Sequence, residues 1–205
     1  MAKWTYLVVA CAAAAGLFAG CGRVKEAKER AEERRERAEA AAAVDPGRMP
    51  LERVTGGTLD TSELGGAWLL LAHRSDDPAC RDAMAGEWSQ LARDAEAFGG
   101  RVAGLYADWL AGESAERSGE ALDAARAAAY PVCAAGQAEL DALRALGAMD
   151  VNPTAYLFGA GGKLVRVTGG FVRPEHHLAD LAAVARGEEP PAHPAQGVLP
   201  EENEP

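Results

Sequence analysis

The run Ala67-Trp68-Leu69-Leu70-Leu71-Ala72 is too short for a buried helix and has the length of a strand covered on both faces. Shortly after it comes Asp77-Pro78-Ala79-Cys80, and from there Cys80, Met84, Trp88, Leu91, Ala95 and Phe98 recur at helical spacing with charges between them. A strand buried on both faces needs neighbours at its edges and helices above and below. A strand that feeds a helix through a short polar turn therefore points to an α/β architecture.

The rest of the chain agrees. Residues 56–66 read as a hairpin leading into a short helical turn. Gly99-Gly100 ends the helix 78–98, as glycines past a C-terminus do. Arg101–Tyr106 alternates enough for a strand, 114–129 is an alanine-rich helix, and Ala129-Tyr130-Pro131-Val132-Cys133 is a short extended piece. Gln137–Leu146 is a helix with Leu140, Leu143 and Leu146 on one face. Thr154–Phe158 and Lys163–Val167 are strands joined by a glycine-rich turn. Pro174 opens a last helix at a position suited to proline, burying Leu178, Leu181 and Val184 or Ala185. Strands alternating with helices, then a hairpin and a helix, predict a three-layer α/β/α sandwich with a mixed central sheet.

The ends differ in composition. Lys3 and the apolar run Tyr6–Ala19 form a targeting segment, and Leu17-Phe18-Ala19-Gly20-Cys21 resembles a bacterial lipobox, whose cysteine is lipidated and becomes the first residue. The expected layout is a signal peptide over 1–20, a lipid-anchored helical spacer and linker over 21–50, the folded domain over 51–187, and a disordered tail over 188–205. The spacer is charged all round and lacks leucine and isoleucine, which suits a solvated helix better than a coiled coil. The tail holds five prolines and five glutamates, too little apolar surface for a core. A net charge of −10 without a basic cluster outside the mixed-charge helix argues against a nucleic-acid partner. The partners expected instead are the membrane, through Cys21, and an extracytoplasmic protein or thiol.

Taken together, residues 51–187 resemble the TlpA/ResA branch of the thioredoxin superfamily, the extracytoplasmic thiol-disulfide oxidoreductases. The resemblance rests on the glycine-rich approach at 57–66, the apolar strand, the cysteine-bearing turn, Tyr130-Pro131-Val132, and Val151-Asn152-Pro153-Thr154 ahead of Ala155-Tyr156-Leu157-Phe158. It implies a thioredoxin-like fold in which Pro153 is cis and faces the active-site turn. It also marks Asp77, Pro78, Ala79, Cys80, Asn152 and Pro153 as the positions equivalent to the family's active site. The departure is at Asp77, which stands where the family has its attacking cysteine, while Cys80 takes the place of the resolving one. Exchange begins with attack by a thiolate on a disulfide sulfur, so the family mechanism does not carry over intact. A peroxiredoxin reading fails at the same turn.

Asp77 reads as a helix N-cap ahead of a proline at N1, with a general base as the alternative. Cys80 falls in the first helical turn, where amide dipoles favour a thiolate and Asp76 and Asp77 oppose it. Cys133 sits at the C-terminal end of its strand, on the sheet edge where α/β chemistry gathers. This leaves two main functional readings, beside a third in which the chain is a structural spacer lipoprotein. One is a membrane-anchored binding module without a dithiol. The other is an atypical oxidoreductase that cycles Cys80 with Cys133 or with an external thiol. His73 reads as a surface or strand-end histidine rather than a metal ligand or proton shuttle, and His176-His177 as a polar first turn. Trp68, Trp88 and Tyr156 read as core. No metal site or cofactor is expected from the spacing of ligand residues.

Overall fold

The computed structural model describes residues 27–112, 119–147 and 149–193. The chain divides into two compact units, one ending at Ala43 and one beginning at Val44. Of the first unit, residues 27–42 form helix α1, exposed on nearly every side, with Arg35 donating from Nε to Glu39 at 2.8 Å. Among the described residues no helix is long and apolar enough to cross a membrane. The proposed signal peptide and Cys21 lie outside the described residues.

The second unit is built on a seven-stranded mixed sheet. Its strands are β1 (Pro50–Arg53), β2 (Thr58–Asp60), β3 (Trp68–His73), β4 (Arg101–Leu110), β5 (Val132–Ala135), β6 (Thr154–Phe158) and β7 (Leu164–Gly169), in the order β2-β1-β5-β4-β3-β6-β7. The central β5, β4 and β3 are parallel, and the flanking pairs are antiparallel. All six residues of β3 are buried, as its uninterrupted apolar run requires.

Strand alternation sends neighbouring side chains into two separate cores. Leu69, Leu71, Val102, Tyr106, Val132, Ala134, Ala155 and Leu157 face one side, under α2 (Pro78–Ala85), α3 (Glu87–Glu96), α4 (Glu120–Ala127) and α6 (Pro174–Ala185). Trp68, Leu70, Ala72, Leu105, Cys133, Tyr156 and Phe158 face the other, against α5 (Gln137–Ala145) and the β1–β2 hairpin. Trp68 and Phe158 stack there with centroids 4.2 Å apart. Trp68, Trp88 and Tyr156 are core, as read from the sequence.

Four expectations need correction. The helix foreseen over 78–98 is two helices, because the chain turns at Gly86 (φ −101°, ψ −98°). Ser89 then donates to the Met84 carbonyl freed by the break and accepts from the Ala129 amide. Strand β4 runs on past Tyr106 to Leu110, through an irregularity in its pairing with β5. The folded unit begins before Leu51: Gly47 packs so closely on the β6–β7 turn that a Cβ there would lie 1.9 Å from the Gly162 carbonyl oxygen, and Arg48 donates to Gly161 O at 3.0 Å. At the other end, residues 188–193 are not a free tail, since Pro190, Pro191 and His193 are all bonded to the domain.

Candidate functional site

The turn between β3 and α2 carries the site. Asp77 has extended backbone and its Oδ1 accepts from the amides of Ala79 (2.9 Å) and Cys80 (3.4 Å), with Pro78 in the first helical position. This is the N-cap read from the sequence. It satisfies two of the amides that a helix start leaves without partners.

Opposite stands the loop before β6, where the Asn152–Pro153 bond is cis and Pro153 is buried. Asn152 joins the two walls. Its Oδ1 accepts from the Arg74 amide at 2.8 Å, and its Nδ2 donates to Asp77 Oδ2 at 2.5 Å. The same Nδ2 lies 3.6 Å from Cys80 Sγ. A backbone donor on one side and a carboxylate acceptor on the other allow only one orientation of the amide. The pair of contacts holds the turn against the cis-proline loop.

Cys80 is fully buried, in the core cluster with Met84 and Trp88. Burial first, and the Asp77 carboxylate second, push its thiol up to about 12, against a smaller opposing effect from the Asn152 amide. The conflict between helix dipole and acidic neighbours is thus resolved against the thiolate. Cys133 is also free and fully buried, its thiol pushed up to about 12 by burial. It is the second of four residues in β5 rather than the end of that strand, pairs with Leu105, and points into the opposite core. The sheet separates the two sulfurs. The Cys80–Cys133 couple considered from the sequence is therefore not brought together.

His73 is the strand-end residue read from the sequence, the last of β3, but it is not at the surface. It is 1% exposed, at 5.3 Å from the Trp88 ring and 5.1 Å from the Tyr106 ring. Its Nδ1 lies 3.3 Å from the Arg74 carbonyl oxygen, so Nδ1 carries the proton. Nε2 has no partner among the described residues. Burial depresses its basicity to about 4, outweighing the carbonyl of Arg74 and the charges of Asp108 and Asp77.

The turn has a second support that the sequence did not reveal. Asp108, on the extension of β4, accepts from the Ser75 amide (2.8 Å) and from Ser75 Oγ (2.7 Å). Trp109 Nε1 donates to the same hydroxyl at 2.7 Å. Arg81 donates to Ser75 O and to Glu120. The Ser75 hydroxyl is thereby used in both directions, donating to Asp108 and accepting from Trp109. The only sequence signal for this cluster is a polar residue, Asp108, followed by a large aromatic just beyond an apolar strand. Beside the cis-proline loop, Val151 and Phe171 are 47% and 48% exposed, and Phe171 stacks on Trp88. No three His, Cys, Asp or Glu side chains among the described residues converge as metal ligands.

No family model matches this chain, and no curated protein matches it. Solved structures do. A pneumococcal exposed lipoprotein thioredoxin from Streptococcus pneumoniae is similar with a TM-score of 0.50 at 21% identity, covering 65% of this chain and 97% of that one. An uncharacterised conserved protein from Geobacillus kaustophilus superposes with a TM-score of 0.54 at 18% identity, covering 73% and 85%. DsbF from MTB gives 0.51 at 10% identity, covering 69% and 98%. Identities this low speak to architecture alone. With the mixed sheet, the helix that starts at the Asp77 turn and the facing cis-proline loop, they establish that the described residues between Val44 and His193 have a thioredoxin-like α/β fold.

Proposed function

We propose that this protein is an extracytoplasmic, lipid-anchored thioredoxin-like module that has lost thiol-disulfide exchange and binds a protein partner through the groove beside the Asp77 turn and the Pro153 loop. One observation carries the reading. The position of the attacking sulfur is held by Asp77, which is engaged in capping α2 and in the bond to Asn152. Exchange needs an accessible thiolate and a second thiol to resolve the mixed disulfide. Cys80 is buried and its thiol is pushed up to about 12. Cys133 faces the other core. The exposed Val151 and Phe171 supply apolar contact area beside the Asp77 turn and the Pro153 loop, which Asn152 holds together. Anchoring is implied by the resemblance of the Ala-Gly-Cys ending to a lipobox, and by resemblance to Gram-negative lipoproteins Gly22 after the cysteine favours the outer membrane.

Disulfide reduction, with insulin as the substrate, tests the reading. The wild type should stay at the uncatalysed rate, and Cys80→Ser and Cys133→Ser should not change it. Asp77→Cys should give measurable turnover, because it places a thiol at a helix N-terminus, three residues before a second thiol at Cys80. Robust wild-type turnover that disappears in Cys80→Ser would overturn the proposal. Mass spectrometry of the mature N-terminus tests the anchor. A diacylglyceryl-modified Cys21 is expected, and an unmodified start or cleavage at another bond refutes it.

A further inference from the structure

A second cluster of bonded side chains lies between β7, α6 and residues 188–193, away from the groove chemistry. Arg166 on β7 donates from Nη1 to both oxygens of Asp180 on α6, at 2.8 Å each. Its Nη2 donates to two successive carbonyls, Pro190 O at 3.1 Å and Pro191 O at 2.9 Å. Two residues further on, His193 Nε2 meets Asp180 Oδ1 at 2.7 Å. The His193 imidazole lies flat on that of His176, with centroids 4.4 Å apart and planes 10° from parallel.

The two partners in this contact differ in rigidity. The receiving side is prebuilt: Arg166 on β7 holds Asp180 on α6 through two bonds between elements of regular structure. The segment laid on it, residues 188–193, belongs to no helix or strand, and Glu188, Glu189, Pro191 and Ala192 are exposed. Nothing in that stretch contributes to the apolar core. A segment held by polar contacts with little apolar burial lies at the low end of local stability.

The chemistry also selects its occupant. Proline has no N–H, so a proline pair cannot extend a sheet and presents carbonyl acceptors only. An extended proline segment has no internal hydrogen bonds, which leaves those carbonyls for an outside donor. The guanidinium serves both sides at once, Nη1 on the Asp180 carboxylate and Nη2 on the two carbonyls, where the single nitrogen of an ammonium would not span both. The Asp180 carboxylate and the flat imidazole then read a ring with a nitrogen donor two residues downstream. We propose that the Arg166–Asp180–His176 notch is a recognition site for proline-rich peptides of the form Pro-Pro-x-His, filled in cis by Pro190–His193 and open to a second such segment when this one lifts.

The test uses the full chain and a fluorescein-labelled peptide of the sequence Glu188–His193, followed by anisotropy. In one protein the tail is disarmed by Pro190→Gly, Pro191→Gly and His193→Ala. The disarmed protein should bind the peptide saturably and at least about tenfold more tightly than wild type, because the native tail competes at the millimolar effective concentration of a tethered segment. Adding Arg166→Lys should remove binding although the charge is kept. A labelled peptide with His→Ala, which leaves the protein untouched, should bind about tenfold more weakly, the loss of one hydrogen bond to a charged group. Equal, weak binding by wild type and the disarmed protein would overturn the proposal. So would undiminished binding to the Arg166→Lys protein, or equal binding of the His→Ala peptide.

Discussion

Asp77 holds two jobs that a cysteine could not combine: it caps α2 with one carboxylate oxygen and receives Asn152 with the other. The two can be separated. Asp77→Ala loses both, and should cost about 2–3 kcal/mol as the sum of one cap and one charge-assisted bond. Asp77→Asn keeps a capping oxygen but brings an amide donor against the Asn152 amide, so about half of that loss is expected. Urea unfolding of the two variants checks this, and equal losses would mean that the Asn152 contact contributes nothing. Tyr130 makes the opposite case. Its hydroxyl is buried with no hydrogen-bond partner among the described residues, and burial holds its ionisation well above the usual tyrosine range. Removing an unsatisfied polar atom relieves a desolvation cost, so Tyr130→Phe should leave stability unchanged or raise it by about 1 kcal/mol. A clear loss of stability would show that the hydroxyl is bonded in solution.

The two-helix connection α2–α3 is held at its corner by a single side chain. Ser89 satisfies the Met84 carbonyl and the Ala129 amide at once, and so ties the corner to the approach to β5. Ser89→Ala leaves both groups buried without that partner and should cost about 2–4 kcal/mol, more than a serine in a helix interior ordinarily contributes. A loss below about 0.5 kcal/mol would place the stability of the corner elsewhere. What could be read from the sequence divides along the same line. The β3 run, the Asp77-Pro78 cap and the Pro174 helix start are local statements, written in consecutive residues, and all three hold. The break at Gly86 was written locally too, but a helical apolar spacing that continues across it concealed the corner. Ser75, Asp108 and Trp109 meet only because β4 lies parallel to β3 and overshoots it, and no spacing within one segment encodes that. Cys133 shows the same limit. Alternation along β5 sets it opposite Val132, but which core it enters relative to Cys80 depends on the side of the sheet that α2 covers.

At the scale of the whole molecule, acid stability gathers these features into one measurement. Two histidines are buried in the neutral form, His73 and His177, and both are depressed to about 4. Burial is the leading cause in each. For His73 the Arg74 carbonyl, Asp108 and Asp77 oppose the shift; for His177 Asp180 opposes it, while His193 and His176 add to it. In the unfolded chain both return to the ordinary value of 6.5. Between about 6.5 and 4 the unfolded state therefore binds more protons than the folded one. The stability these residues supply is complete above 6.5 and is lost as the pH falls towards 4. By pH 5 the loss should be about 2 kcal/mol for each histidine, from roughly one and a half units of linkage. His73 is the sharper test, because its Nε2 has no partner to lose among the described residues and an aromatic ring fits between Trp88 and Tyr106. His73→Phe should match wild type to within about 1 kcal/mol at pH 7.5, as a near-isosteric core exchange does. It should then lose about 2 kcal/mol less than wild type on going to pH 5. Urea midpoints at the two pH values, with an unchanged m-value, measure the difference. A His73→Phe protein with the same fall in stability as wild type would show that His73 takes up its proton in the folded state, and that the β3 end beneath the Asp77 turn is wetter than its packing implies.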